Sequence, residues 1–283
     1  GLSLMKLLLI LLIAIIPPLS AQNWQRVETK HFDIYFEGKW EIPSFNMEME
    51  RIYNLMNLNL SYFAPWISNE KTSIYIYSTY ETYIKGEFKP PEWSKGLALF
   101  EKKTIVVYNS DKPDSLIPTI THELTHLYFE SYFRQKSKKP PLWLNEGLAV
   151  YMEDLSSKSN EGQWYKALKY SPENVYMKFD VFFDIELNSL KDDKAIANWY
   201  LEAYGIVKYL YSPSRKIIFY RFCSDILKGK KLEKALWNNY RINNLKTFEN
   251  KWFYWLRSEV INHNGKNDSF EFKPFKTIEF ATH

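Results

Sequence analysis

The stretch "TITHELTHLYFE", Thr119–Glu130, decides how this chain is read. It places two of the five histidines four residues apart, with a glutamate directly after the first. A helix turns about 100° per residue, so positions four apart lie roughly 40° from each other on one face. His122 and His126 therefore present two imidazoles side by side, and Glu123, three before His126, falls on the same side. Ile117, Ile120, Leu124, Leu127 and Tyr128 gather on the opposite arc, which makes an amphipathic helix with its chemistry on the wet face. Two neutral imidazoles at this spacing suit zinc, which takes a third protein ligand and keeps one position open for water in catalytic sites. The glutamate inside the motif is poorly placed to be a ligand but well placed to accept a proton from that water. A solvent-exposed polar face also produces this short pattern by accident, so the third ligand matters.

"PLWLNEGLAVYMED", Pro141–Asp154, supplies a candidate. Its Glu146 stands 20 residues beyond His126 and is expected in the first turn of a helix running from Asn145 to about Asp154. An antiparallel helix pair can bring that carboxylate to the two imidazoles. An acid in a first helical turn is also favoured simply by the helix dipole, so the position alone does not decide its role.

Upstream of this pair the pattern is β. Val27–Phe36 alternates apolar and polar residues and reads as one strand, with His31 an ordinary member of it. Ser44 is a capping residue for a helix whose apolar positions are Phe45, Met49, Ile52, Met56 and Phe63. "KTSIYIYST" reads as a second strand, and "GLALFEKKTIVVYNS" as a hairpin turning near Glu101–Lys103. From Asp114 the character becomes helical. Ser115 is the expected cap of the motif helix, which runs to about Arg134, and further helices are expected over 195–211, 216–228 and 245–260. Strands followed by helices indicate an α+β fold.

Composition fits a packed globular protein: 21 Tyr, 19 Phe and 10 Trp favour a large core over disorder. The formal charge of +4 lacks the one-sided basic excess of a nucleic-acid binder, so no nucleic-acid partner is expected. Cys223 is the only cysteine, which excludes an intrachain disulfide and a thiolate metal cluster. "MKLLLILLIAIIPPLSAQ" has a lysine, an apolar run from Leu7 to Ile16 and a small-residue exit. That run is shorter than the roughly 20 residues a bilayer needs. Residues 1–21 therefore read as a secretory signal peptide of an exported, secreted or periplasmic protein, with an uncleaved N-terminal membrane anchor as the alternative. The tail, residues 263–283, is polar with spaced phenylalanines and is expected to strap back onto the body; His263 and His283 read as surface residues, and sequons occur at Asn59 and Asn267.

With both motifs in view, "HELTH" followed at this distance by "WLNEGLAVYME" resembles the gluzincin metallopeptidases, the group of thermolysin and the aminopeptidase N-like enzymes. It is most similar to their smaller bacterial peptidase MA-like members. The opening strand, the "PEWSKGLALF" hairpin and the late "KGKKLEKALW…LKTFENKW" segment extend the resemblance over nearly the whole mature chain. It implies a zincin-like fold: an N-terminal mixed sheet with a helix, then a mostly helical lobe, with the active-site cleft between them. A single catalytic domain would span 22–262, its sheet-containing part 22–112 and its helical, metal-binding part 113–262. The resemblance further implies one Zn²⁺ held by His122, His126 and Glu146, with Glu123 as general base in hydrolysis of peptides or proteins. A glutamate recurs in the family motif at Glu153, seven residues past Glu146, where it orients a ligand or remains a plain solvated acid. "WYLEAYGIVKYL" is similar to the segment carrying the family's oxyanion-binding tyrosine, which falls on Tyr200 with Ala203 at the small position; Tyr204 is the second choice. One departure stands out. The segment by which aminopeptidases hold a free amine has no counterpart, and "GLALF" occupies its place. An edge strand there, around Ala98, can pair with an extended peptide through its backbone, which favours an endopeptidase. A non-catalytic binding module on the same scaffold and a zinc hydrolase of non-peptide substrates are the alternatives; a structural zinc site fits poorly with an open ligand set.

Overall fold

The structure, a computed structural model, describes residues 23–39, 44–110 and 112–261. The proposed leader at 1–21, the tail at 263–283, His263, His283 and Asn267 lie outside these residues.

Five strands and ten α-helices make up the described chain. Strands β1 (Trp24–Glu28), β2 (Phe32–Glu37), β3 (Thr72–Tyr77), β4 (Gly96–Leu99) and β5 (Thr104–Tyr108) form one sheet in the order β1-β2-β3-β5-β4. β1 and β4 pair antiparallel at its two edges, and the three central strands are parallel, with Ile34, Ile74 and Ile105 in register. Helix α1 (Phe45–Leu60) makes the crossover from β2 to β3. Period-two patterning turns Phe32, Ile34, Phe36, Ile74, Ile76, Ile105 and Val107 to one face, where they are buried in the main core. Full burial of such side chains contributes about 1.5–3 kcal/mol each. The other face carries a smaller apolar layer of Tyr77, Tyr83 and Val106, flanked by Trp24, Tyr75 and Phe88.

The rest is helical: α2 (Tyr80–Lys85), α3 (Leu116–Arg134), α4 (Leu142–Leu155), α5 (Gln163–Tyr170), α6 (Phe179–Phe182), α7 (Asp193–Leu210), α8 (Lys216–Leu227), α9 (Leu232–Tyr240) and α10 (Leu245–Trp255), the last continued by a wider turn at Leu256–Val260. The expected α+β class and strand-then-helix order are therefore correct. Among the described residues, no helix is long and apolar enough to cross a membrane. Side-chain caps start α2, α7 and α10: Thr79 accepts from Thr82 N–H, Asp192 from Lys194 N–H and Asn244 from Thr247 N–H.

Several expectations need correction. The alternation over Val27–Phe36 conceals a hairpin, because the chain reverses at 29–31, where Thr29 Oγ1 accepts from Phe32 N–H at 3.0 Å. His31 thus lies in a turn. Its Nδ1 is 2.6 Å from Glu50 Oε2, and its ring stacks on Tyr53, both on α1. Ser44 and Ser115 do precede their helices, but neither hydroxyl caps: Ser44 adopts a left-handed conformation, and Ser115 Oγ instead donates to Lys112 O. Helix α1 stops at Leu60, and Phe63 is buried just beyond its end. Helix α4 begins at Leu142, three residues early, so Glu146 lies in the second turn. A first-turn dipole no longer accounts for it.

Candidate metal centre

Helix α3 lies against the sheet through Leu116, Ile120, Leu124 and Leu127, each no more than 1% exposed. Tyr128 and Thr72 share a buried hydroxyl hydrogen bond of 2.7 Å that ties α3 to β3. The remaining sides of α3 are not wet, contrary to expectation. Thr121 and Thr125 are buried, their hydroxyls donating back to the carbonyls of Ile117 and Thr121, and the side chains of His122 and His126 are only 20% and 13% exposed. Helix α4 covers part of the histidine face, and α7 packs against α4. Close approach of α4 and α7 requires Gly147, since a Cβ there would stand 2.6 Å from Ala203 O and 2.7 Å from Val207 Cγ2.

This packing brings His122, His126 and Glu146 together. The two Nε2 atoms are 3.1 Å apart, and Glu146 Oε2 lies 3.4 Å from one and 3.5 Å from the other. A tetrahedral ion with bonds of about 2.0–2.1 Å requires donor atoms roughly 3.3 Å apart. The triangle on α3 and α4 matches that spacing, and among the described residues it is the grouping able to hold a metal ion.

The opposite ring nitrogens fix the chemistry of this triangle. His122 Nδ1 lies 3.0 Å from Glu153 Oε2, and His126 Nδ1 lies 3.1 Å from Asn145 Oδ1. Asn145 is oriented in turn, because its Nδ2 donates to Glu130 Oε2 at 3.3 Å. Both Nδ1 atoms therefore face acceptors and carry protons, which leaves both Nε2 lone pairs aimed at each other and at a carboxylate. Three converging lone pairs repel unless a cation sits between them. Burial lowers the pKa of both imidazoles, but for His122 the hydrogen bonds to Glu146 and Glu153, and for His126 the charge of Glu146, more than offset it and raise both. Burial likewise pushes Glu146 up, yet the charge of His126 and hydrogen bonds from both rings hold it well below the usual carboxylate range. The potential that favours imidazolium also favours a divalent ion, and the residues present fit one.

Glu123 does not join the triangle. It lies against the start of β4, where a Cβ added to Gly96 would be 2.6 Å from its Cδ and 2.7 Å from its Oε1, and closer still to its Cγ. Burial raises its pKa; His126 and His122 oppose the shift, while Glu146 and Glu153 add to it. Tyr200 of α7 is 3% exposed and lines the same cleft, and burial followed by the charges of Glu146, Glu123 and Glu153 raises its phenol well above 10.0. Tyr204 turns away, its hydroxyl donating to Asp154 Oδ2 at 2.9 Å.

The cleft holds about 690 Å³. β4, with Ala98 at its middle, is an edge strand and forms one wall. It runs alongside α3: Gly96 meets Glu123, while the Phe100 ring just past its end lies 3.7 Å beneath the guanidinium of Arg134. Arg134 pairs with Glu130 at 3.2 Å, so hydrogen bonds, a salt bridge and a ring contact link His126 through Asn145, Glu130 and Arg134 to the β4–β5 turn.

Sequence reasoning missed Asn145 and Gly96. Asn145 adjoins Glu146 directly, and an amide beside a ligand glutamate is a legible candidate for orienting a ligand. A lone glycine opening a strand is likewise a sign that something approaches the backbone closely. Residues 67–258 match the family model for the Peptidase MA superfamily. No curated protein matches the sequence significantly.

Proposed function

Because the chain belongs to the Peptidase MA superfamily, we propose that it is a zinc-dependent endopeptidase of gluzincin type. His122, His126 and Glu146 would hold the metal, and Glu123 would serve as general base. One observation carries this reading: three lone pairs from two helices converge at 3.1–3.5 Å, with both rings oriented by acceptors behind them. Two histidines from one helix and a glutamate from the next form the gluzincin ligand pattern.

A bound zinc ion supplies Lewis-acid polarisation and a water acidified towards pKa ~7. The protein residues do the rest. Glu123, with a pKa raised by burial, accepts the proton of the attacking water and delivers it to the departing amine nitrogen. Tyr200 keeps its phenolic proton and donates it in a hydrogen bond to the oxygen that gains charge, a contribution of about 3–4 kcal/mol for a preorganised donor. Glu153 and Asn145 hold the two imidazoles in the tautomer that presents Nε2. The backbone of β4 around Ala98 pairs with an extended peptide, which accepts many sequences because its hydrogen bonds are main-chain ones. The cleft continues past the ligand residues on both sides, to Trp93 and Ser94 one way and to Phe100 and Arg134 the other. That suits an internal bond of a longer chain. The apolar run at Leu7–Ile16 supports action outside the cytoplasm.

The test is metal analysis of purified protein together with digestion of a peptide library, with and without chelator. Glu123→Gln should keep one zinc per chain and lose hydrolysis. Cleavage at the native rate by that variant, or full activity in excess chelator, would refute the assignment.

A further inference from the structure

Behind Tyr200 lies a second cavity for which the proposed reaction has no use. It holds about 830 Å³ between the start of α4, the α6 segment with the loop after it, and the neighbouring ends of α8, α9 and α10. Trp143, Phe182, Phe183, Leu187 and Trp199 give it aromatic and aliphatic walls. Trp199 precedes Tyr200 on α7, and their rings meet edge to face with centroids 5.0 Å apart. One lines this cavity and the other the cleft. Leu142, 38% exposed, lines both, so cleft and cavity adjoin at the first residue of α4.

Two features give the cavity a chemical preference. The apolar walls suit an aromatic or aliphatic side chain. The rim carries Asp180, Asp184 and Glu186, all exposed and none in an ion pair among the described residues. Lys230, also on the rim, is held by Asp225 at 2.7 Å and does not neutralise them. The cavity therefore repels anions. It favours a ligand combining an apolar side chain and a positive charge. A peptide with an aromatic or aliphatic residue beside lysine or arginine supplies both.

We propose that this cavity is a distal subsite for the peptide that occupies the cleft, taking an apolar side chain and setting a neighbouring basic residue on the acidic rim. The proposal rests on the peptidase reading above. A substrate long enough to pass Leu142 fills both spaces, and a short one fills the cleft alone.

The experiment uses the full, zinc-loaded chain and three fluorogenic libraries: randomised hexapeptides, the same hexapeptides extended at either end by eight alanines, and the same extended by eight residues containing two Phe-Lys pairs. The Phe-Lys extension should lower KM about tenfold relative to the alanine extension, with kcat unchanged. Asp184→Lys/Glu186→Lys should abolish that gain and leave hexapeptide kinetics native. Equal KM for the two extensions, or a gain that survives the charge reversal, overturns the proposal. If no library is cleaved, the peptidase reading fails separately. Titration of the Glu123→Gln protein with the Phe-Lys peptides, followed by calorimetry, then decides for the cavity alone: binding lost on charge reversal supports it, and binding indifferent to charge reversal, or none, overturns it.

Discussion

Gly96→Ala separates placement of Glu123, the proposed general base, from every other property of the cleft. The new methyl carbon would stand 2.6 Å from Glu123 Cδ and 2.7 Å from Oε1, whereas carbon atoms in contact lie about 3.5–4.0 Å apart. Something must yield by about an ångström. β4 is paired to β5 along its length, and α3 is fixed in the core, so the Glu123 side chain moves. Displacing it from a staggered rotamer costs about 0.5–1.5 kcal/mol. Alanine offsets much of that by restricting the unfolded chain, about 0.4–1 kcal/mol, since Gly96 does not use a left-handed backbone. Net stability should therefore change by less than about 1 kcal/mol. Catalysis should not escape so lightly, because a positioned general base typically contributes 10²–10⁴-fold. The expected result is a fall in kcat of about 10²-fold, with zinc content and melting temperature close to native. A double-mutant cycle identifies the route: on a Glu123→Gln background, Gly96→Ala should have almost no further effect on kcat. Native kcat in Gly96→Ala, or full additivity with Glu123→Gln, would refute the argument that this glycine acts by making room for Glu123.

Tyr200→Phe and Tyr204→Phe should fail in opposite ways. The first should lose about 10²-fold in kcat at unchanged stability; the second strips a buried hydrogen bond from Asp154 and should cost about 1–3 kcal/mol in urea unfolding while kcat holds. Asn145→Ala leaves His126 Nδ1 without its acceptor, and competition with a chelator should show zinc affinity reduced about 10–100-fold in a protein of native circular dichroism. Glu202, fully buried, is pushed up to about 9 by burial, against a hydrogen bond from Met177 N–H and with the charge of Glu249 adding to the shift. Its folded pKa exceeds the ordinary 4.5, so the folded state holds the extra proton and stability falls as pH rises from about 4.5 to about 9. Glu202→Gln removes that slope; its melting temperature relative to the native protein should climb across this window, and a constant difference would show that Glu202 titrates normally.

The sequence made helix α3 legible because its period writes the His122–His126 face and the opposing apolar arc directly. Glu146 was legible as a partner, but not its depth in α4, since Pro140-Pro141 gives no local sign that the helix starts at Leu142 rather than Asn145. The three parallel strands were legible, one as an alternation, one as a strand-forming run and one as an arm of a hairpin, yet their order was not. That β5 inserts between β3 and β4 depends on pairings far apart in sequence. Val27–Phe36 misled for a local reason: the turn at 29–31 preserves the alternation on both sides, so period two continues across a chain reversal. Four helices, α2, α5, α6 and α9, are too short for 3.6-residue periodicity to rise above their surroundings. Asn145 and Gly96 matter only through the rotation of α4 against α3 and the distance of β4 from α3, which are tertiary quantities.

The same tertiary packing explains why the site is electrically unsatisfied without a cation. Apolar surfaces on α3, α4 and α7 draw these helices together, and that drive is indifferent to the charges it traps between them. Glu146 and Glu153 are buried beside two imidazoles, with Glu123 close by and raised in pKa. With neutral rings the cluster carries an excess of negative charge in a place water barely reaches, which is costly. Two remedies exist. The rings can take up protons, as the upward shifts of His122 and His126 express, or a divalent ion can occupy the space between their Nε2 atoms. These are alternatives for one potential, because the lone pairs that would carry the protons are those that would bind the metal. Glu153 and Asn145 fix where either remedy acts: by holding each Nδ1 proton they leave only Nε2 free, and Nε2 is where the Glu146 oxygen already points.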